Sequence, residues 1–328
     1  MPGLRADQVA LYTKDMYKAQ REGYKEVPTK YNVIFKVKNK DVSGAGDKET
    51  QILGAGGLVR HLVEGQDVVF KAPIQGWEYL VKYWTFSDGL SLSKEAVEDT
   101  VKLGNLLRDL ANTWGKSVRV TKETFAARFF NEGGKTSGDY VYNGTHTGNT
   151  DSSGDMLYDG KPMFAISANE HTTKGTGTYV NSVAAYSSVT PTNFELLYNL
   201  HTATNNRDER DRIVSNPADT FLVSPGADRF LAERIVDTSR GIPGVQLNDM
   251  NPYYKLVSVV DWDYLSDSAL YVGKRQSEAL QFHERQLPEI RFFRDEANLG
   301  YKASLNLRIG GLVKGWRPWT RGGGSSTA

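Results

Sequence analysis

Residues 92–131, LSKEAVEDTVKLGNLLRDLANTWGKSVRVTKETFAARFFN, are the longest stretch of the chain with a single periodicity. Val97, Val101, Gly104, Leu107, Ala111, Trp114 and Val118 recur at steps of three and four, the repeat of one helical face, and Phe125 and Phe129 continue it. Glu98 and Lys102 stand at i, i+4 in the favourable order. Ser91 or Ser93 is placed to cap the start, and Gly133-Gly134 ends the run. The GKSVRV segment at 115–120 is where such a helix is most easily divided. Unbroken, it would be about 60 Å long at 1.5 Å per residue. A compact chain of this length is roughly 50 Å across. The run therefore implies a flat or elongated subunit, the shape of a building block.

On the N-terminal side, residues 6–26 are polar and mixed in charge, with Val9, Leu11, Tyr12, Met16 and Tyr17 scattered among them. They read as an arm with little core of its own, suited to lie on a neighbour. YNVIFKV at 31–37 reads as a strand. Val68-Val69-Phe70 and the run 77–86, on either side of Pro73-x-x-Gly76, read as a hairpin. On the C-terminal side, residues 133–161 are rich in small polar residues and have no helical period. A helix is expected near 192–204 with the capping box Thr192-x-x-Glu195, and a strand at 220–223. A second helix is expected at 225–237, with Ser224 as cap and Pro225 in its first position. Residues 238–252 read as a loop. Strands follow at 255–260 and 269–272, then β-rich runs within 289–312, and GGGSSTA reads as a flexible tail. The fold class is α+β.

Composition narrows the function. The chain has 328 residues, and 40 Lys+Arg against 39 Asp+Glu leave a net charge of +1, which argues against a strongly basic nucleic-acid binder. Hydrophobic residues at 39% are too many for a disordered chain. The absence of cysteine removes disulfides, zinc thiolate sites, iron–sulfur clusters and cysteine nucleophiles together. No signal-peptide pattern or apolar run of membrane-spanning length is present, so a cytosolic site of synthesis is expected, and Asn143-Gly144-Thr145 reads as a turn.

Two glycine loops imitate nucleotide sites. Gly134-Lys135-Thr136 resembles the end of a P-loop, but position 129 is Phe where that motif needs Gly. The loop at Gly54-Ala55-Gly56-Gly57 has Val at 59 where a dinucleotide turn needs Gly. The five histidines, His61, His146, His171, His201 and His283, lie too far apart for a zincin helix. Asp151, Asp155 and Asp159 lack the alternation of a calcium loop. No catalytic, cofactor or metal site is expected, and the chain is read as no enzyme. Lys314, Trp316, Arg317, Trp319 and Arg321 interleave bases with aromatics, which suits a single-stranded nucleic-acid platform or, better in so evenly charged a chain, a protein contact.

In order, several segments resemble the major capsid proteins of tailed double-stranded DNA phages, the Mu-like head subunits in particular. Phe129-Phe130-Asn131 closes a long helix, and Asp159-Gly160-Lys161-Pro162-Met163-Phe164 with His171 is similar to a D-G-x-P-[L/M]-F…H stretch of those proteins. Asn216-Pro217-Ala218-Asp219-Thr220-Phe221-Leu222-Val223-Ser224-Pro225 and Asp263-Tyr264-Leu265-Ser266-Asp267 follow. The segment from Pro288-Glu289-Ile290 through Arg294-Asp295 to Trp316 resembles the return strand.

The resemblance implies the Hong Kong 97-type fold. Its parts would be an N-terminal arm (1–40), an extended E-loop hairpin region (41–90), a P-domain with the spine helix (91–189), an A-domain (190–287), return strands of the P-domain (288–321) and a flexible tail (322–328). It implies a structural, self-assembling subunit that forms pentamers and hexamers around a phage genome. The partners are further copies, portal, scaffold and decoration proteins, and packaged DNA held non-specifically, with no membrane. Such a subunit is assembled in the host cytoplasm and ends in the virion. Trp77, Tyr79, Tyr83 and Trp84 on the hairpin, and Trp316, Arg317 and Trp319 near the C-terminus, are the expected inter-subunit contacts. Deleting 66–86 is expected to leave a soluble protein that cannot close shells. The alternatives are an encapsulin-like compartment and, from another class, a nucleotide-dependent enzyme using the Gly54 or Gly134 loop.

Overall fold

The structure, a computed structural model, describes residues 6–39, 47–53, 61–65, 67–68, 70, 74–93, 103–134, 157, 161–167, 170–173, 177–185, 188–208, 211–240, 250–265, 269–295 and 300–323. Its axis is a single helix, α3 (Leu103–Asn131), of 29 residues and about 43 Å at 1.5 Å per residue. Residues 90–92 end a strand, which removes Ser91 as the cap, and the expected start after Ser93 falls on residues 94–102, outside the described ones. Of the roughly 60 Å span that suggested an elongated shape, the described helix supplies about 43 Å, with residues 94–102 outside the described ones.

GKSVRV does not divide α3. Gly115 lies against the N-terminal helix α1 (Ala6–Glu26), where a Cβ would stand 2.2 Å from the Gln20 carbonyl oxygen. Gly23 of α1 makes the reciprocal approach to Asn112. The glycine expected to weaken the helix is where two helices pack backbone to backbone. Met16 and Ala19 of α1 are buried there with Leu107, Ala111, Trp114 and Val118. Residues 6–26 are thus a helix laid along the subunit's own spine.

Two five-stranded sheets complete the frame. The first has the order β1 (Phe35–Asn39), β10 (Ser277–Arg294), β11 (Tyr301–Val313), β3 (Ile74–Leu92), β2 (Asp47–Leu53). The run expected as a strand at 31–37 divides into one helical turn, α2 (Tyr31–Ile34), and β1. Strand β11 alternates strictly: Tyr301, Ala303, Leu305, Leu307 and Ile309 are buried, while Lys302, Ser304, Asn306 and Arg308 are half-buried. That period of two puts one face on α3 and leaves the other polar. Phe35 is the hub beneath α3, its ring 5.7 Å from Phe129, 6.0 Å from Phe130, 6.3 Å from Phe282 and 6.5 Å from Trp262, all edge to face.

The second sheet has the order β6 (Ser182–Val183), β12 (Trp319–Gly323), β9 (Ala269–Gly273), β7 (Thr220–Val223), β8 (Ser258–Asp261). Every residue of β7, β9 and β12 is buried, the mark of strands covered on both faces. Gly322 and Gly323, expected in the flexible tail, end β12, and residues 324–328 lie outside the described ones. The strand expected at 255–260 is β8, starting at Ser258.

Both helices beside this sheet start differently from expectation. Helix α4 (Pro191–Leu200) continues into a π turn (His201–Asn205), and its cap is Thr190, whose Oγ1 accepts the Asn193 N–H at 3.1 Å. Glu195 serves no capping box; it accepts the Tyr253 hydroxyl at 2.6 Å. Helix α5 (Ala227–Asp237) starts after Gly226, whose φ of 93° and ψ of −131° suit only glycine. Pro225 therefore precedes the helix, and the Ser224 hydroxyl donates to Asp228 at 3.0 Å. A short hairpin, β4 (His171–Thr172) and β5 (Thr178–Tyr179), lies beside the second sheet.

Candidate assembly surfaces

One feature of the first sheet is built from β3. Its residues Lys82–Leu92 pair with β11, while Ile74–Val81 pair only with β2. One strand therefore changes partner near Val81 and continues out of the sheet as a two-stranded ribbon, about 27 Å long at 3.4 Å per residue. The hairpin is real but its first arm is DKETQIL at 47–53, and Val68 and Phe70 lie outside any strand. Pro73-x-x-Gly76 is no turn, because Gly76 is inside β3. A strand so polar has no alternating apolar face to betray it, and polar side chains suit an edge. In the connection between the two arms, Leu62, Val63, Val68 and Phe70 are exposed, Phe70 at 91%. Sequence reading passed over Leu62 and Val63 and took Val68 and Phe70 for a strand, although apolar residues clustered in a connection between polar strands were a usable signal.

The expected contact residues part company. Trp77 and Tyr79 lie on the ribbon, Tyr79 opposite Glu49, with side chains outside the described ones. Tyr83 and Trp84 lie in the body. The Trp84 ring is 5.8 Å from Phe125 of α3. The Tyr83 ring is 6.3 Å from His283 and has the Arg285 guanidinium 5.2 Å from its centre. Both are therefore engaged within their own subunit.

The C-terminal group is a correction. Trp316 and Trp319 are fully buried in this chain's own core, so they offer no surface to a neighbour. Trp316 stacks on His171, with ring centres 4.6 Å apart and planes at 4°, and Trp319 meets Phe130 edge-on at 5.1 Å. Arg317 is half-buried, its guanidinium 4.7 Å from the Trp316 ring and its Nε–H donated to the Arg207 carbonyl. The interleaving of aromatics and bases reflects a strand and turn with both faces covered.

The segments that carried the resemblance meet at this junction. Phe130 lies 6.1 Å from Phe164, and the Asn131 amide donates to the Tyr264 carbonyl at 2.9 Å. The Asn216 amide donates to the Arg317 carbonyl at 3.0 Å. Gly134, read for a phosphate loop, packs against Arg321, and Gly133 before it packs against Phe164. The remainder of that loop, the Gly54 loop, and the Asp151, Asp155 and Asp159 group lie outside the described residues. Among the described residues, no three His, Cys, Asp or Glu side chains cluster as a metal site. No described helix is long and apolar enough to cross a membrane.

Buried charge ties α3 to the elements around it. Lys122 donates to Glu284 at 2.8 Å, and Glu284 also accepts the Tyr31 hydroxyl at 2.9 Å. The neighbouring Glu123 accepts from Trp262 Nε1 (2.7 Å), the Lys30 N–H (2.7 Å) and the Tyr31 N–H (3.2 Å). Burial nevertheless holds its carboxyl above the usual range. In the second sheet, His201 is pushed down to about 4 by burial. Its Nε2–H donates to the Asn216 carbonyl (3.0 Å), which leaves Nδ1 to accept the Thr320 hydroxyl (3.1 Å). Asp211, at a positive φ of 60°, accepts the hydroxyls of Thr173 (2.6 Å) and Tyr179 (3.0 Å) and the Gly177 N–H (3.1 Å). Those bonds, Thr173 first, hold it below the usual carboxylate range and pin the β4–β5 hairpin.

No protein-family model matches the chain, and no curated protein does. Solved structures do. The capsid of the cyanophage P-SCSP1u superposes with a TM-score of 0.53 at 9% identity, covering 92% of this chain and 89% of that one. The structure of Mycobacterium phage Patience does so with a TM-score of 0.50 at 11% identity, covering 99% and 91%. The chain has the Hong Kong 97-type capsid fold. At such identities the shared property is the fold.

Proposed function

We propose that the chain is a shell-forming major capsid protein, structural rather than enzymatic, whose copies assemble as pentamers and hexamers around packaged double-stranded DNA. The carrying observation is the ribbon of β2 and the distal half of β3. A two-stranded hairpin is marginal in water on its own, and three strands or a packed face are needed for stability. This one leaves its own sheet and leads to exposed apolar residues, so it calls for a second body to lie on. A further copy of the chain fits, because identical subunits repeating around an axis each receive a ribbon and each give one. The fold shared with phage capsid structures supports the same reading.

In this role residues 1–40 are the arm, 41–90 the E-loop region, 91–189 and 288–321 the P-domain, and 190–287 the A-domain. Trp77 and Tyr79 are the ribbon's contacts with the neighbour. Portal, scaffold and decoration proteins are the further partners, and assembly takes place in the host cytoplasm.

The test is to express the chain, image it by electron microscopy, and repeat with residues 48–80 replaced by a short Gly-Ser linker. This excision spares the residues of β3 that pair with β11, which deletion of 66–86 would not. Shells from the intact chain, with a folded but unassembled linker variant, are expected. An intact chain that stays monomeric at high concentration would sink the reading. Normal shells from the variant would remove the ribbon from it.

A further inference from the structure

We propose that the outward face of α1 binds the phosphate backbone of double-stranded nucleic acid. Lys14, Lys18, Arg21 and Lys25 stand at i, i+4, i+7 and i+11, which on a helix places them within a stripe about 60° wide. The stripe lies opposite the face that carries Met16, Ala19 and Gly23 onto α3. All four cations are exposed, and none has an ion-pair or hydrogen-bond partner among the described residues.

Two acids of the same helix are paired with α3, while Asp15 is exposed beside Lys14. Glu22 faces Arg108 of α3 at 3.5 Å, and Glu26 is held by Lys116 at 2.6 Å and by the Asn112 amide at 3.3 Å. A helix face that serves only solubility interleaves both signs. Here α3 neutralises Glu22 and Glu26, Asp15 lies to the side of the stripe, and the four bases face outward together in a chain whose total charge is only +1. The stripe rises about 16 Å, a length that passes about five phosphates of one DNA strand. It holds no aromatic side chain to stack on a base, so the contact is to the backbone and independent of sequence.

The proposal takes the presence of DNA from the shell reading, but its test does not depend on shells. The full chain is titrated with labelled duplexes of two unrelated sequences by fluorescence anisotropy, from about 50 to 200 mM salt. It is compared with K14Q/K18Q/R21Q/K25Q and with a control, R234Q/R240Q/K255Q/K274Q, that removes four exposed cations elsewhere. Glutamine keeps helix propensity, and circular dichroism verifies that α1 persists.

The expected result is equal affinity for both duplexes and a slope of log K against log salt near −3.6. The stripe variant should bind at least tenfold more weakly at the lowest salt, with its slope falling towards zero, while the control keeps both. Absence of duplex binding by the intact chain, an unchanged slope in the stripe variant, or tighter stripe-dependent binding of polyglutamate than of duplex overturns the proposal. Electron microscopy of the same samples separates the two readings. Shells without duplex binding overturn this proposal alone, and stripe-dependent binding without shells overturns the capsid role alone.

Discussion

The two sheets of this subunit are built by opposite rules. In the first, β11 alternates buried and half-buried residues from 301 to 309, so over that length one face is packed and the other stays polar. In the second, β7, β9 and β12 are buried at every position, between helices and loops on both sides. The first sheet is a slab with a spine on one side and a ribbon running out of it. The second is the centre of a closed unit. A substitution should therefore cost very different amounts in the two, and four experiments press on that contrast.

The largest effect is expected in the covered sheet. Trp319→Ala empties a fully buried site beside Phe130, and such truncations cost about 3–5 kcal/mol. Ser304→Ala on the polar face of β11 should stay within about 0.5 kcal/mol. Denaturant unfolding of the two variants measures both, and equal losses would erase the distinction. Next comes the charge that the slab buries under its spine. Glu284→Leu strands Lys122, itself 2% exposed, and should cost about 3–5 kcal/mol. The double variant K122M/E284L should recover most of it, and a double variant as unstable as the single one would mean that packing, not charge, holds the site.

The third experiment uses pH. The folded His201 titrates at about 4, below its ordinary value of about 6.5, so the folded state excludes a proton that the unfolded chain accepts. Its contribution is complete above pH 6.5 and is lost as pH falls towards 4, by about 3 kcal/mol in all. H201Q should flatten that part of the stability profile, and an unchanged slope would remove the histidine from it. The smallest of the four tests the spine: Gly115→Ala forces α1 away from α3 and should cost about 1–3 kcal/mol, read as a lower unfolding midpoint.

The same contrast explains what could be read beforehand. Alternation in SLNLRI and the three-and-four steps of α3 are local signals, and both elements were legible from them. The meeting of Phe130-Asn131, Phe164, Tyr264 and Trp319 was not, because it depends on segments far apart in the chain; only their order suggested a relationship. Trp316 and Trp319 were misjudged because residue type sets the size of a contact, not the side from which it is covered. Helix α1 was underrated because its packing rests on small residues, Ala19 and Gly23, which carry little hydrophobic weight. The register of Met16, Ala19 and Gly23 with Gly115 was the signal to follow. The ribbon's first strand escaped because DKETQIL has no apolar alternation.

The continuity of β3 has a mechanical consequence. A pull along the ribbon reaches the body as shear, shared across the ladder between Lys82–Leu92 and β11, so those pairs must yield together. A pull at right angles would open the same ladder one pair at a time. A ribbon drawn taut along its own axis would meet the stiff direction of the joint.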